Sequence, residues 1–178
     1  ITGDNDHRIY KNNGNSTFTN QTQASLMMGA STNILSFASG DLNHDGKVDL
    51  YTSYGSTYNN PSGNYDDVFW MNSTNNTNHY LTLNLEATTS NIGAIGARAY
   101  IYGAWGVQTR EVRAGESYGT VNSSQLHFGL GAATTIDSVI VNWPSGIITL
   151  IVNPTADQFL NITEVNTCTL SGATVNAS

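Results

Sequence analysis

The stretch 80–86, YLTLNLE, sets leucines at 81, 83 and 85 on one side of an extended chain and Thr82, Asn84 and Glu86 on the other. A period of two is the signature of a half-buried β-strand, because successive side chains point to opposite faces. Short alternating or β-branched runs recur along the chain, separated by Gly, Asn, Asp and Ser, and no long stretch carries the helical period. The runs HRIYKN, ILSFAS, VDLYTSY, DVFWMN, YLTLNLE, ARAYIYG, VQTREVR, SVIVNW, IITLIV and QFLNIT read as strands. The expected fold class is therefore all-β, with a sandwich-like or barrel-like second half. The polar tract ending at Asn78 suits an exposed connection, and a boundary is expected there.

Charge narrows the function. Only 11% of residues are charged and the net charge is −7. Nucleic acid, which needs a basic surface, is excluded as a partner. The six cations (Arg8, Lys11, Lys47, Arg98, Arg110 and Arg113) form no run. A lone cysteine, Cys168, cannot close an internal disulfide. No apolar run is long enough to span a bilayer. ITGDNDHRIY carries no signal-peptide pattern, so Ile1 reads as a processed or truncated start. Asn-x-Ser/Thr sequons are hardly more frequent than this composition gives by chance, so they permit glycosylation without demanding it.

Against this low charge, GDLNHDGKVDL stands out. Oxygen-bearing side chains fall at Asp41, Asn43, Asp45 and Asp49, the first, third, fifth and ninth positions of a loop. Like charges so close repel unless a cation lies between them. Gly46 permits a sharp turn, and Lys47 is expected to offer its backbone carbonyl and point its ammonium outward. A hard cation such as Ca²⁺ takes six to eight oxygens at about 2.3–2.6 Å, and this spacing supplies most of them. The expected cofactor is calcium. Position 12, a glutamate in an EF-hand, is Thr52, so the loop is read as leading into a strand rather than a helix.

At these residues SFASGDLNHDGKVDLYTS resembles the FG-GAP or VCBS repeat, the blade unit of integrin-type β-propellers. DHRIYKNNGNSTFTN and DVFWMNSTNNTNHY resemble the hairpins that end successive repeats. Propellers have about four to eight blades, so residues 1–78, little more than one repeat, are not expected to close one alone. From His79 to Glu164 the segments NHYLTLNLEATTSNIGAIGARAYIY, TREVRAGESYGTVNSSQLHFGLG, SVIVNWPSG and PTADQFLNITE resemble the ASPIC/UnbV domain. The expected organisation is a blade-like unit over 1–78, a β domain over 79–165 packed against it, and a tail or linker over 166–178. The resemblance implies an extracellular, secreted or cell-surface, non-catalytic module for adhesion or surface structure.

No nucleophile elbow, P-loop or HExxH is present, and the histidines at 7, 44, 79 and 127 lack ligand spacing. His127 reads as a packing or turn residue and Trp143 as core or turn packing. The alternative is a carbohydrate-binding module attached to a polysaccharide-degrading enzyme. Its candidate ligand residues are Tyr54, Tyr58 and Trp105, with Arg110 and Arg113 for an anionic glycan. Copies of the chain are the third candidate partner, because unpaired sheet edges recruit strands and the polar tail suits strand addition.

Overall fold

The computed structural model describes residues 10–20, 33–56, 65–116, 118–165, 168–170 and 173–175. Among these the regular elements are all strands. An exposed hairpin pairs β1 (Tyr10–Asn12) with β2 (Phe18–Asn20). Next comes a three-stranded antiparallel meander of β3 (Asn33–Gly40), β4 (Asp49–Gly55) and β5 (Val68–Trp70). Its β3–β4 hairpin carries the acidic loop at its closed end. A small core of Ile34 and Tyr54, joined by Phe37, Leu50, Val68 and Trp70, backs this sheet.

Two further sheets follow. One orders β12 (Gln158–Thr163), β6 (His79–Glu86) and β9 (Leu126–Gly131), with β6 parallel to β12 and antiparallel to β9. The other orders β11 (Ile148–Val152), β10 (Ser138–Asn142), β7 (Arg98–Gly103) and β8 (Gly106–Glu111), all antiparallel. Leu81, Leu83, Phe128 and Ile162 from the first sheet share one core with Ala99, Ile101, Val139 and Val141 from the second. The two sheets face each other as a sandwich, and no closed barrel forms among the described residues. Residues 71–78 join the two units without strand structure. The tail strands β13 (Cys168–Leu170) and β14 (Ala173–Val175) form a hairpin, with β13 beside the edge strand β11.

All ten expected strands are present, and the all-β expectation holds. Four further strands lie outside those ten runs, and one of them, β2, completes the hairpin that DHRIYKNNGNSTFTN resembles. β9 is the instructive one, because the glycines at 129 and 131 mask the period in LHFGLG. Yet Leu126, Phe128 and Leu130 are buried in alternation, which is the strand period. His127 thus lies in a strand and packs against Tyr80, the first of the two roles expected for it. β6 also departs from expectation. Its leucine face is buried as the alternation requires, but Thr82 on the opposite face is buried too, because the first unit approaches there.

Trp143 is core, as expected, and its Nε1 donates to Thr149 Oγ1 at 2.9 Å. Trp143→Phe keeps most of the apolar contact and removes that bond. Unfolding in urea is expected to show a loss of about 1 kcal/mol at unchanged m-value. No change would mean the bond contributes nothing.

Candidate functional site

The acidic loop is what remains when β3 and β4 pair as far as Gly40 and Asp49 and no further. Two positive backbone angles, φ 61° at His44 and φ 81° at Gly46, turn the chain back on itself. Within the loop, backbone N–H groups fill the side-chain oxygens. Asp41 Oδ1 accepts from Asp45 N at 3.1 Å and its Oδ2 from Gly46 N at 2.8 Å. Asn43 Oδ1 accepts from Asp45 N at 3.2 Å, and Asp45 Oδ1 from Lys47 N at 2.9 Å. Asp49 Oδ2 accepts from Leu42 N at 3.0 Å, and its Oδ1 from Asn72 N at 2.8 Å, which ties the chain beyond β5 to the loop.

Asp41 and Asp49 are buried, at 5% and 0% exposure, and among the described residues no cationic side chain pairs with either. Lys47 departs from expectation: its Nζ turns back to Asp45 Oδ2 at 3.2 Å instead of pointing outward. Burial pushes the Asp45 carboxyl up, but the Asn43 and Lys47 side chains, the Lys47 N–H and the Lys47 charge outweigh it and hold the group below the usual carboxylate range. The donor set is all oxygen, and each Asp41 and Asp49 oxygen keeps a lone pair beyond the N–H it accepts. In that respect the residues fit a hard cation. The three aspartates do not converge, however: among the described residues no three His, Cys, Asp or Glu side chains are grouped to hold a metal.

The loop is seated on the sandwich. A Cβ on Gly46 would lie 2.2 Å from Tyr80 Cε1, so the backbone there rests directly on the Tyr80 ring. Burial raises the Tyr80 hydroxyl pKa, and Asp41, Asp157 and Asp45 raise it further, which places the ring in the field of the loop. The His44 ring lies 4.6 Å from Phe159, and Tyr80 stacks on His127 at 5.9 Å. Burial lowers the His127 pKa, with Asp41 opposing and Arg110 adding to the shift, and its Nδ1 lies 3.1 Å from Thr82 Oγ1. At the end of β3, Ser39 N donates to Asn122 Oδ1 at 2.8 Å and Ser39 O accepts from Ser123 N at 2.9 Å.

Thus Asp41, Asn43, Asp45, Lys47 and Asp49 share one loop, as the spacing required. The candidate sugar contacts do not come together. Tyr54 is core, 6% exposed, so no ligand reaches it from solvent. Tyr58 lies outside the described residues. Trp105 sits at the β7–β8 turn but folds back over Gly103 and packs on the sandwich core, which removes it as an exposed platform. Arg110 and Arg113 do share one concavity. Sequence reasoning missed Tyr80, Phe159, Asn72 and Asn122 as partners of the loop. No local signal marks them, since the contacts are made across the fold.

An all-β chain in which a blade-like meander presents an acidic loop to a β-sandwich is a two-part module. Residues 1–52 match the family of FG-GAP-like repeats, and residues 87–169 match the family described as ASPIC and UnbV. The chain carries an FG-GAP-like repeat followed by an ASPIC/UnbV domain. FG-GAP repeats are typical of extracellular or surface proteins. No curated protein matches the chain. Among the described residues no helix is long and apolar enough to cross a membrane.

Proposed function

We propose that this chain is a non-catalytic, extracellular calcium-binding module serving adhesion or surface structure. Asp41, Asn43, Asp45, the Lys47 carbonyl and Asp49 would have to draw together around one ion as it binds, which would stiffen the β3–β4 corner against the sandwich. The observation that carries the reading is the burial of Asp41 and Asp49 in an all-oxygen loop where, among the described residues, no cationic side chain forms an ion pair with either. Buried carboxylates are costly unless hydrogen-bonded and matched by opposite charge. Backbone N–H groups meet the first need, and a divalent ion would meet the second. Stiffening is the expected consequence, because Gly46 and His44 transmit the loop's shape to Tyr80 and Phe159.

Asp45→Ala tests this best. Among the described residues Asp45 bonds within the loop alone, whereas replacing Asp49 would also strand Leu42 N and Asn72 N. Ligand binding to the folded state alone stabilises by RT ln(1 + [L]/Kd), about 2.7 kcal/mol at a hundred times Kd. The wild-type thermal midpoint is expected to rise with calcium over a chelator control, less with magnesium, and the Asp45→Ala midpoint to rise little. An undiminished calcium response in the variant would overturn the assignment.

A further inference from the structure

The six cations are scattered in sequence, but three of them, Arg98, Arg110 and Arg113, line a single concavity of about 390 Å³ at the outer edge of β8. Tyr100 and Thr109 complete its wall. In a chain of net charge −7, half of the positive side chains meet at one place. Two glutamates lie with them, and both are already engaged. Glu111 Oε2 is 3.2 Å from Arg98 Nε. Glu116 Oε1 is 3.2 Å from Arg113 Nη1, and its other oxygen accepts from Asn122 Nδ2. Three guanidiniums against two carboxylates leave one positive charge over.

That charge is on Arg110. Among the described residues it pairs with no carboxylate; its Nη1 donates to Thr109 O at 2.9 Å, and its Cζ lies 5.3 Å from the centre of the Phe128 ring. Ring and carbonyl hold the guanidinium in place while most of its five N–H donors stay free. Exposed ion pairing accounts for Arg98 with Glu111 and Arg113 with Glu116 at little energetic gain. It does not account for Arg110. A second concavity of about 330 Å³ shares Arg110, Glu111 and Glu116 and continues past Gln125 and His127 to Asp41 of the acidic loop, so the whole is a trough, positive at its arginine end and closing on a carboxylate at the other.

We propose that this trough binds a polysaccharide bearing oxyanion groups, either carboxylates or sulfate esters, with Arg110 as the principal contact and Arg98 and Arg113 flanking it. A guanidinium matches a carboxylate or sulfate through two parallel N–H bonds. The Tyr100 ring and the Thr109 and Gln125 side chains offer the apolar and hydrogen-bonding contacts a sugar ring takes. Elsewhere the acidic chain repels a polyanion. None of the three arginines belongs to residues 41–49, but Asp41 and Val48 line the far end of the trough, so the test is run in chelator to keep it apart from the calcium reading.

Calorimetry on the full chain, in chelator and at low salt, tests it. The probes are a polyuronate, a sulfated polysaccharide and a neutral glucan of equal length, with a single-stranded oligonucleotide and a phosphopeptide as other anions. Binding is expected for one or both anionic polysaccharides, which identifies the oxyanion, and binding should weaken as salt approaches molar concentration. Arg110→Gln is expected to weaken it on the order of tenfold to a hundredfold, and Arg110→Lys by less. Arg113→Gln, at a site whose side chain is 57% exposed, should lower affinity with an unchanged thermal midpoint, so the test survives if Arg110→Gln does not fold. Equal binding of the neutral glucan, tighter binding of the oligonucleotide or phosphopeptide, no binding at all, or wild-type affinity in both glutamine variants would each overturn the proposal.

Discussion

Gly46→Ala is expected to lower the thermal midpoint by on the order of 10 °C and to remove any calcium response. Two costs combine at this position. With φ at 81°, an L-residue is placed in the left-handed region, at roughly 1–2 kcal/mol. The new methyl group would also sit 2.2 Å from Tyr80 Cε1, so ring or loop must move, at roughly 1–3 kcal/mol. Gly106 provides the control, since its φ is 91° and a methyl group there would meet nothing within 4 Å. Gly106→Ala carries the conformational cost alone. In a Tyr80→Ala background, Gly46→Ala should fall to the Gly106→Ala value, the mark of coupling between neighbours. Midpoints for Gly46→Ala and Gly106→Ala that match in the wild-type background would show that the loop is not seated on Tyr80.

How much of this was legible in the sequence depends on whether the determining contacts are local. Strands with a clean period of two, such as 80–86 and 138–143, were readable because burial on one face is written into the residues themselves. β9 was obscured because Gly129 and Gly131 outweighed the alternation of Leu126, Phe128 and Leu130. Both glycines fall on the exposed side, where a missing side chain costs the core nothing. β2 is three exposed residues whose one apolar side chain, Phe18, repeats with no period.

The same distinction applies to the loop. Asp41 to Asp49 were picked out because turn and donors lie within nine residues. What the loop rests on was not, since Tyr80 and Phe159 read simply as strand aromatics until the fold brings them beneath Gly46 and His44. Trp105 and Tyr54 were misplaced for a related reason. An aromatic in a glycine-flanked or polar stretch looks accessible, but the side chain follows the apolar surface available to it, and here that surface is the core. The arginine trough shows the converse. The register pairs Arg98 with Glu111 and Ala99 with Arg110, so the two arginines leave opposite faces of the sheet, and no local pattern in the sequence signals that both line the concavity at the β8 edge.

Glu164→Gln is expected to produce a loss of similar size at neutral pH, on the order of 10 °C in thermal midpoint, and one that vanishes in acid. Glu164 is fully buried at the end of β12. Its Oε2 accepts from the backbone N–H groups of Thr88, Thr89 and Ser90 at 3.0, 2.8 and 2.7 Å. Its Oε1 accepts from the hydroxyls of Ser90 and Ser145 at 2.8 and 2.5 Å. One carboxylate thereby fixes the turn after β6 and the turn between β10 and β11. A glutamine brings an NH₂ group into a site made only of donors and must strand at least one of them. Burial pushes the Glu164 pKa up, but the bonds from Ser145, Ser90 and Thr89 outweigh it and take the pKa from 4.5 to about 2. A carboxyl whose pKa is lowered by folding contributes its stability in full above its unfolded value and loses it as pH falls through the folded one. The gap between wild type and variant should therefore be constant from neutral pH to about 4.5, then narrow toward pH 2. Urea unfolding of both proteins across that range measures it. A gap that stays level into acid would mean that the packing of Glu164, and not its charge, joins the two turns.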